Sequence, residues 1–97
     1  MPPYGRLAAL ILSGEDEATL DGFAARLARA APLAAGIDLF GPAPAPLALL
    51  RGQHRRRFLV KATRAVAPQA WLRDWLGRVP PPGGIRVQVD VDPTSFQ

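Results

Sequence analysis

The sequence contains no cysteine and a single histidine, His54. The first absence excludes a disulfide scaffold and any thiolate metal site, and it fits a reducing cytoplasm. The second excludes a multi-histidine metal centre. Long hydrophobic runs are missing too. The run from Leu7 to Leu12 ends after six residues, far short of the roughly 20 needed by a membrane helix, so no membrane partner is expected. Arg6 is the one early cation, and Glu15, Asp16 and Glu17 follow closely, so the opening residues do not read as a signal peptide. Lysine is scarce: Lys61 stands against eleven arginines. What remains is an ordinary globular composition, 48% hydrophobic and 21% charged over 97 residues. That is enough for one domain, residues 1–97, with a modest core that needs no staples.

The formal charge of +4 is not spread along the chain. The stretch Arg51–Arg64, RGQHRRRFLVKATR, holds six of the twelve cationic side chains and no acid, and the remainder carries a net −2. Local charge of one sign is what an anionic partner requires. Because Phe58-Leu59-Val60 lies inside the stretch, the charge is expected on a folded strand and not on a loose tail.

The apolar run Leu7–Leu12, bounded by Gly14, predicts a strand buried on both faces and central in a sheet. Three acids at 15–17 suit a helix N-terminus, with Ser13 as a plausible cap. Leu20, Phe23, Ala24, Leu27 and Ala31 trace one helix face, and Pro32 stops it. Ile37–Phe40 reads as a short strand with Asp38 outward. Prolines at 42, 44 and 46 cannot join a central ladder, so residues 41–50 read as a stiff proline-rich arm shaping a long hairpin, with Leu47–Leu50 a further strand piece. Gly52 turns the chain into the basic strand. There Arg56, Phe58, Val60 and Ala62 point to the core, while Arg55, Arg57, Leu59 and Lys61 form a cationic face. Pro68 opens a second helix with an apolar stripe of Leu72, Trp75, Leu76 and Val79, flanked by Trp71. Gly83-Gly84 is a helix exit, not a phosphate loop, because a strand follows. In that strand Ile85, Val87, Val89 and Val91 face inward.

The order strand, helix, strand, strand, helix, strand predicts an α+β fold: the ferredoxin-like split βαββαβ sandwich, a four-stranded antiparallel sheet with both helices on one face. The uncovered face would then show water half of the apolar first strand beside the cationic strand, as a docking surface does.

For the basic cluster, the functional reading is phosphate contact without base specificity; the bland one is a charged edge that prevents aggregation. Arg55, Arg57 and Lys61 are the leading phosphate-contact candidates, followed by Arg51, His54 and Arg64. Trp71 is a candidate for base stacking, although packing of its helix is favoured; Tyr4 and Phe96 could stack or fasten an end. Asp90 and Asp92 resemble a carboxylate pair on one strand face, but no third ligand or nucleophile accompanies them, and nothing near His54 orients it as a base. Neither catalysis nor a metal is expected.

PPYGRLAALILSG at the start, GPAPAPLALLRG followed by RRRFLVKA, and VQVDVDPTSF at the end together resemble the C-terminal domain of the bacterial primosomal replication-restart helicase family (primosomal protein N′, PriA). The resemblance covers essentially the whole chain and rests on the order and spacing of these segments. It implies a C-terminal piece of a longer ATP-dependent 3′→5′ DNA helicase, with Met1 an excision point or an internal methionine. The catalytic parts are expected elsewhere: these residues contain no GxxxxGK[ST] phosphate loop and no cysteine set for the family's zinc region, so ATP and zinc are implied for the parent alone. For this piece it implies a non-enzymatic role binding single-stranded or branched DNA in the cytoplasm. The alternative is a docking domain for the helicase lobes of the parent chain or for single-stranded DNA-binding protein. A small enzyme or sensing domain on the same fold is a distant third.

Overall fold

The computed structural model describes residues 4–63 and 68–92. Its elements run β1 (Tyr4–Gly14), α1 (Glu17–Ala30), β2 (Ile37–Leu50), β3 (Gln53–Thr63), α2 (Pro68–Arg78) and β4 (Arg86–Asp92). The strands form one antiparallel sheet in the order β2-β3-β1-β4, which is the expected α+β sandwich. Among the described residues no helix is long and apolar enough to cross a membrane.

The alternation of β1 and β3 decides where the core sits. Ala8, Leu10 and Leu12 of β1 and Phe58, Val60 and Ala62 of β3 are buried beneath the helices. From α1 come Leu20, Phe23, Ala24 and Leu27; from α2 come Pro68, Trp71, Leu72 and Trp75. Trp75 stands edge-on to Phe58, with ring centroids 5.2 Å apart, and lies tilted against Trp71 at 5.0 Å. Each indole must place its N–H when buried. Trp75 Nε1 donates to the Leu27 carbonyl at 2.8 Å and Trp71 Nε1 to the Pro32 carbonyl at 3.0 Å. These two bonds tie α2 to the end of α1.

Several expectations shift. β1 is central but buried on one face only: Leu7, Ala9 and Ile11 are half-buried on the uncovered side, because both helices lie on the other. The cap of α1 is Asp16, whose carboxylate accepts the Thr19 backbone N–H at 3.0 Å; Ser13 belongs to β1 and has no part in it. The proline-rich arm is itself paired, as part of the edge strand β2, with Ala43 opposite Arg57 and Pro44 opposite Arg56. An edge strand tolerates prolines since one side of it needs no ladder donor. The register slips between Phe40 and Ala43 and again between Pro44 and Leu49. Val89 shares the inward side of β4 with Val87 and Val91 yet is 41% exposed, because β4 is the other edge of the sheet, at the rim of the helix layer.

The long β2–β3 hairpin closes through Arg51 and Gly52, with φ of 53° and 77°. Two left-handed residues make the tight turn whose twist matches the flanking strands. Arg51 is therefore held at the exposed tip.

Candidate nucleic-acid interface

The uncovered face of the sheet can be read row by row from the register. Lys61 pairs across to Asp38 on one side and Leu7 on the other. Next come Phe40, Leu59, Ala9 and Asp90, then Ala43, Arg57, Ile11 and Gln88. The last row holds Arg55, Ser13 and Arg86. An apolar strip of Leu7, Ala9, Ile11 and Leu59 thus runs through a polar frame. Positive charge gathers at one end, where Arg55, Arg57 and Arg86 are neighbours; the carboxylates Asp38 and Asp90 lie toward the other. At the positive end Ile11, Ser13, Gln53, Arg55, Arg86 and Gln88 border a groove of about 670 Å³.

The sequence-expected contact residues do not all meet here. Arg55, Arg57 and Lys61 share the open face, and Arg51 stands at the hairpin tip beyond it. His54 is on the opposite side of β3, its Nδ1 4.0 Å from a carboxylate oxygen of Glu17. Trp71 is also in the helix layer, 9% exposed with its N–H bonded, and has no ring face to offer a base. Arg64 and Phe96 lie outside the described residues, as do the side chains of Tyr4 and Asp92.

Arg56 shows how position on β3 changes the use of the same side chain. It faces α1, and its side chain is 13% exposed. Nε donates to Asp21 at 2.8 Å and Nη2 to Glu17 at 2.7 Å, while Nη1 reaches the Arg55 carbonyl at 3.0 Å. The bond to Asp21 above all, aided by Glu17 and opposed by desolvation, raises its pKa further. Arg56 is thus a clamp between α1 and β3, with its charge answered inside the protein.

Two residues of the open face were not singled out from the sequence. Phe40 is 49% exposed, and the Lys61 ammonium lies 5.4 Å from its ring centroid. The signal was present, since an outward Asp38 implies an outward Phe40 two positions later. Arg86 alternates with the inward Ile85 and Val87, but only the sheet order brings it beside Ser13 and Arg55. Among the described residues no group of three His, Cys, Asp or Glu side chains comes together to hold a metal.

Residues 1–94 match the family described as primosomal protein N C-terminal domain. The chain is 34% identical over 96 residues to the replication restart protein PriA of Rickettsia prowazekii and 35% identical to that of Rickettsia conorii, in each case covering 99% of this chain and 15% of the relative. The replication restart protein PriA of Treponema pallidum is 29% identical over 96 residues. The chain therefore spans about 15% of the length of the curated relatives it matches. With the family pattern running through residues 1–94 and the sheet order of the split βαββαβ sandwich, the chain belongs to the primosomal protein N C-terminal domain family.

Proposed function

We propose that this domain is a non-catalytic DNA-binding module that holds single-stranded or forked DNA on the open face of its sheet. The observation that carries the reading is the gathering of Arg55, Arg57, Lys61 and Arg86 on one accessible face, alongside an apolar strip. Guanidinium groups bind phosphate oxygens bidentately, and the apolar strip offers a surface for the bases between them. The relatives are named for replication restart, a process carried out on DNA. In this reading the domain works as the C-terminal part of a longer cytoplasmic helicase, and ATP-driven unwinding belongs to lobes outside this chain.

Fluorescence anisotropy of the 97-residue chain against labelled single-stranded, duplex and forked DNA at two salt concentrations tests this. Binding should weaken as salt rises. The variant combining Arg55→Gln, Arg57→Gln and Lys61→Gln should bind weakly and with a log–log salt slope shallower by about 2, as expected for three lost contacts to a single strand. Unchanged affinity in that variant would remove the open face from DNA binding.

The groove between Arg55 and Arg86 supports a second reading. Its apolar floor, Ile11 with Ile85, and its two guanidinium groups suit an acidic peptide with an apolar side chain, such as the tail of single-stranded DNA-binding protein or a segment of the helicase lobes. Absent DNA binding at low salt, with capture of the acidic tail peptide, would favour it.

A further inference from the structure

We propose that Phe40 is a base-stacking residue, and that it makes the open face selective for unpaired bases over duplex. The inference rests on the DNA-binding reading and adds a discrimination that the cations cannot supply, since phosphates are present in both forms.

The geometry is specific to this position. The rings of Phe23, Phe58, Trp71 and Trp75 are all buried in the core between the helices and the sheet. Phe40 is the exposed aromatic side chain among the described residues, and it sits on the cationic side of the sheet. Its row continues through Leu59 to Ala9, an apolar row three strands across, about 10 Å at the usual strand spacing. Arg57 and Lys61 occupy β3 two residues before and after Leu59, about 13 Å apart along the strand. A phosphodiester backbone following β3 would meet a cation, then the Phe40–Leu59 row, then a second cation. The Lys61 ammonium lies over the ring, 5.4 Å from its centroid, so a base stacks on the other ring face or displaces the ammonium toward the adjoining phosphate. A paired base keeps its faces inside the duplex stack and offers none to the ring. An extruded or single-stranded base offers two. Asp38, opposite Lys61, and Asp90, at the far end of the row, keep this end of the face from being a simple phosphate trap, so that stacking contributes more of the hold here.

The test compares the parent chain with Phe40→Ala, Phe40→Tyr and Phe40→Trp on three probes at one salt concentration: an oligothymidylate, an abasic strand of equal length, and a blunt duplex. Phe40→Ala should bind the oligothymidylate about tenfold more weakly. It should bind the abasic strand and the duplex as the parent does, and Phe40→Tyr should restore the difference. Emission from Phe40→Trp, after subtraction of the parent signal from buried Trp71 and Trp75, should be quenched by the oligothymidylate and not by the abasic strand. If the parent binds single strands while Phe40→Ala binds them equally and Phe40→Trp is unquenched, the stacking role is overturned and the cationic face stands. If the parent binds none of the three probes, the DNA reading itself fails and Phe40 falls with it.

Discussion

The two faces of β3 are built from one run of sequence and do opposite things. On the helix side Phe58, Val60 and Ala62 are sealed in the core, and Arg56 has its charge matched by Glu17 and Asp21. On the open side Arg57, Leu59 and Lys61 are half-buried and look outward. Adjacent arginines, 56 and 57, therefore have unrelated roles. A basic run on a strand cannot be counted as a single patch: the pleat splits it, and the half that meets a helix is consumed by structure.

The largest effect that sharpens this contrast is Phe58→Ala. It removes the ring against Trp75 at the centre of the core and should cost about 3–5 kcal/mol, measured by urea denaturation. Leu59→Ala, one residue away on the other face, should cost less than half as much. Equal losses would mean that the open face is as tightly packed as the core.

Gly41→Ala comes next. Gly41 has φ of +116°, and a Cβ there would lie 2.7 Å from the Arg57 carbonyl oxygen. Both the conformation and the space are unsuited to a side chain, with an expected loss of about 1–3 kcal/mol. Because Phe40 precedes it at the register slip, single-strand affinity should fall as well. Retention of both stability and affinity would show that the slip does not hold Phe40 in place.

Arg56→Gln against Arg57→Gln contrasts the two faces most directly. Loss of the Arg56 clamp should cost about 1 kcal/mol, a modest figure because Glu17 and Asp21 are more than half exposed, with DNA affinity unchanged within twofold. Arg57→Gln should do the reverse: stability within about 0.5 kcal/mol of the parent, and weaker binding. Swapped phenotypes would mean that the faces have been assigned backwards.

The smallest effect concerns the helix cap. The Thr19 hydroxyl first, and then its backbone N–H, hold the Asp16 carboxyl below its ordinary value of 3.8. A carboxylate lowered on folding contributes stability above its unfolded value and loses it as pH falls through the lower, folded one. Thermal stability should therefore drop slightly on acidification below pH 3.8, and Asp16→Asn, which still caps, should flatten that limb. An unaltered acid limb in Asp16→Asn would assign the acid sensitivity to other carboxylates.

Much of the architecture was legible in the sequence because it depends on periodicity. The alternation in RRRFLVKA named the core set of β3, and the spacing of Leu20, Phe23, Ala24 and Leu27 named the face of α1. Two of the departures came from features without a local signal. The arm at 41–50 looked unpaired because its prolines lack donors, and only its place at the sheet edge makes them tolerable. Ser13 looked like a cap because it precedes the acids, whereas β1 runs on through it to Gly14 and leaves capping to Asp16. The candidate site was legible in part. Arg55, Arg57 and Lys61 follow from the period of two, but His54 has the parity of Arg56 and goes to the helix side with it.

By itself the sequence determined which residues alternate on each strand, where each helix stops, and that positive charge is concentrated at 51–64. Those are properties of near neighbours, set by backbone period and turn chemistry. The tertiary structure alone decided which strand lies beside which, and hence that Arg86 joins Arg55 across Ser13 and that Phe40 shares a row with Leu59 and Ala9. It also decided that Arg56 finds carboxylates on α1 while Arg57 faces solvent. Cross-strand neighbours are far apart in the chain, and no local periodicity encodes which of them will meet.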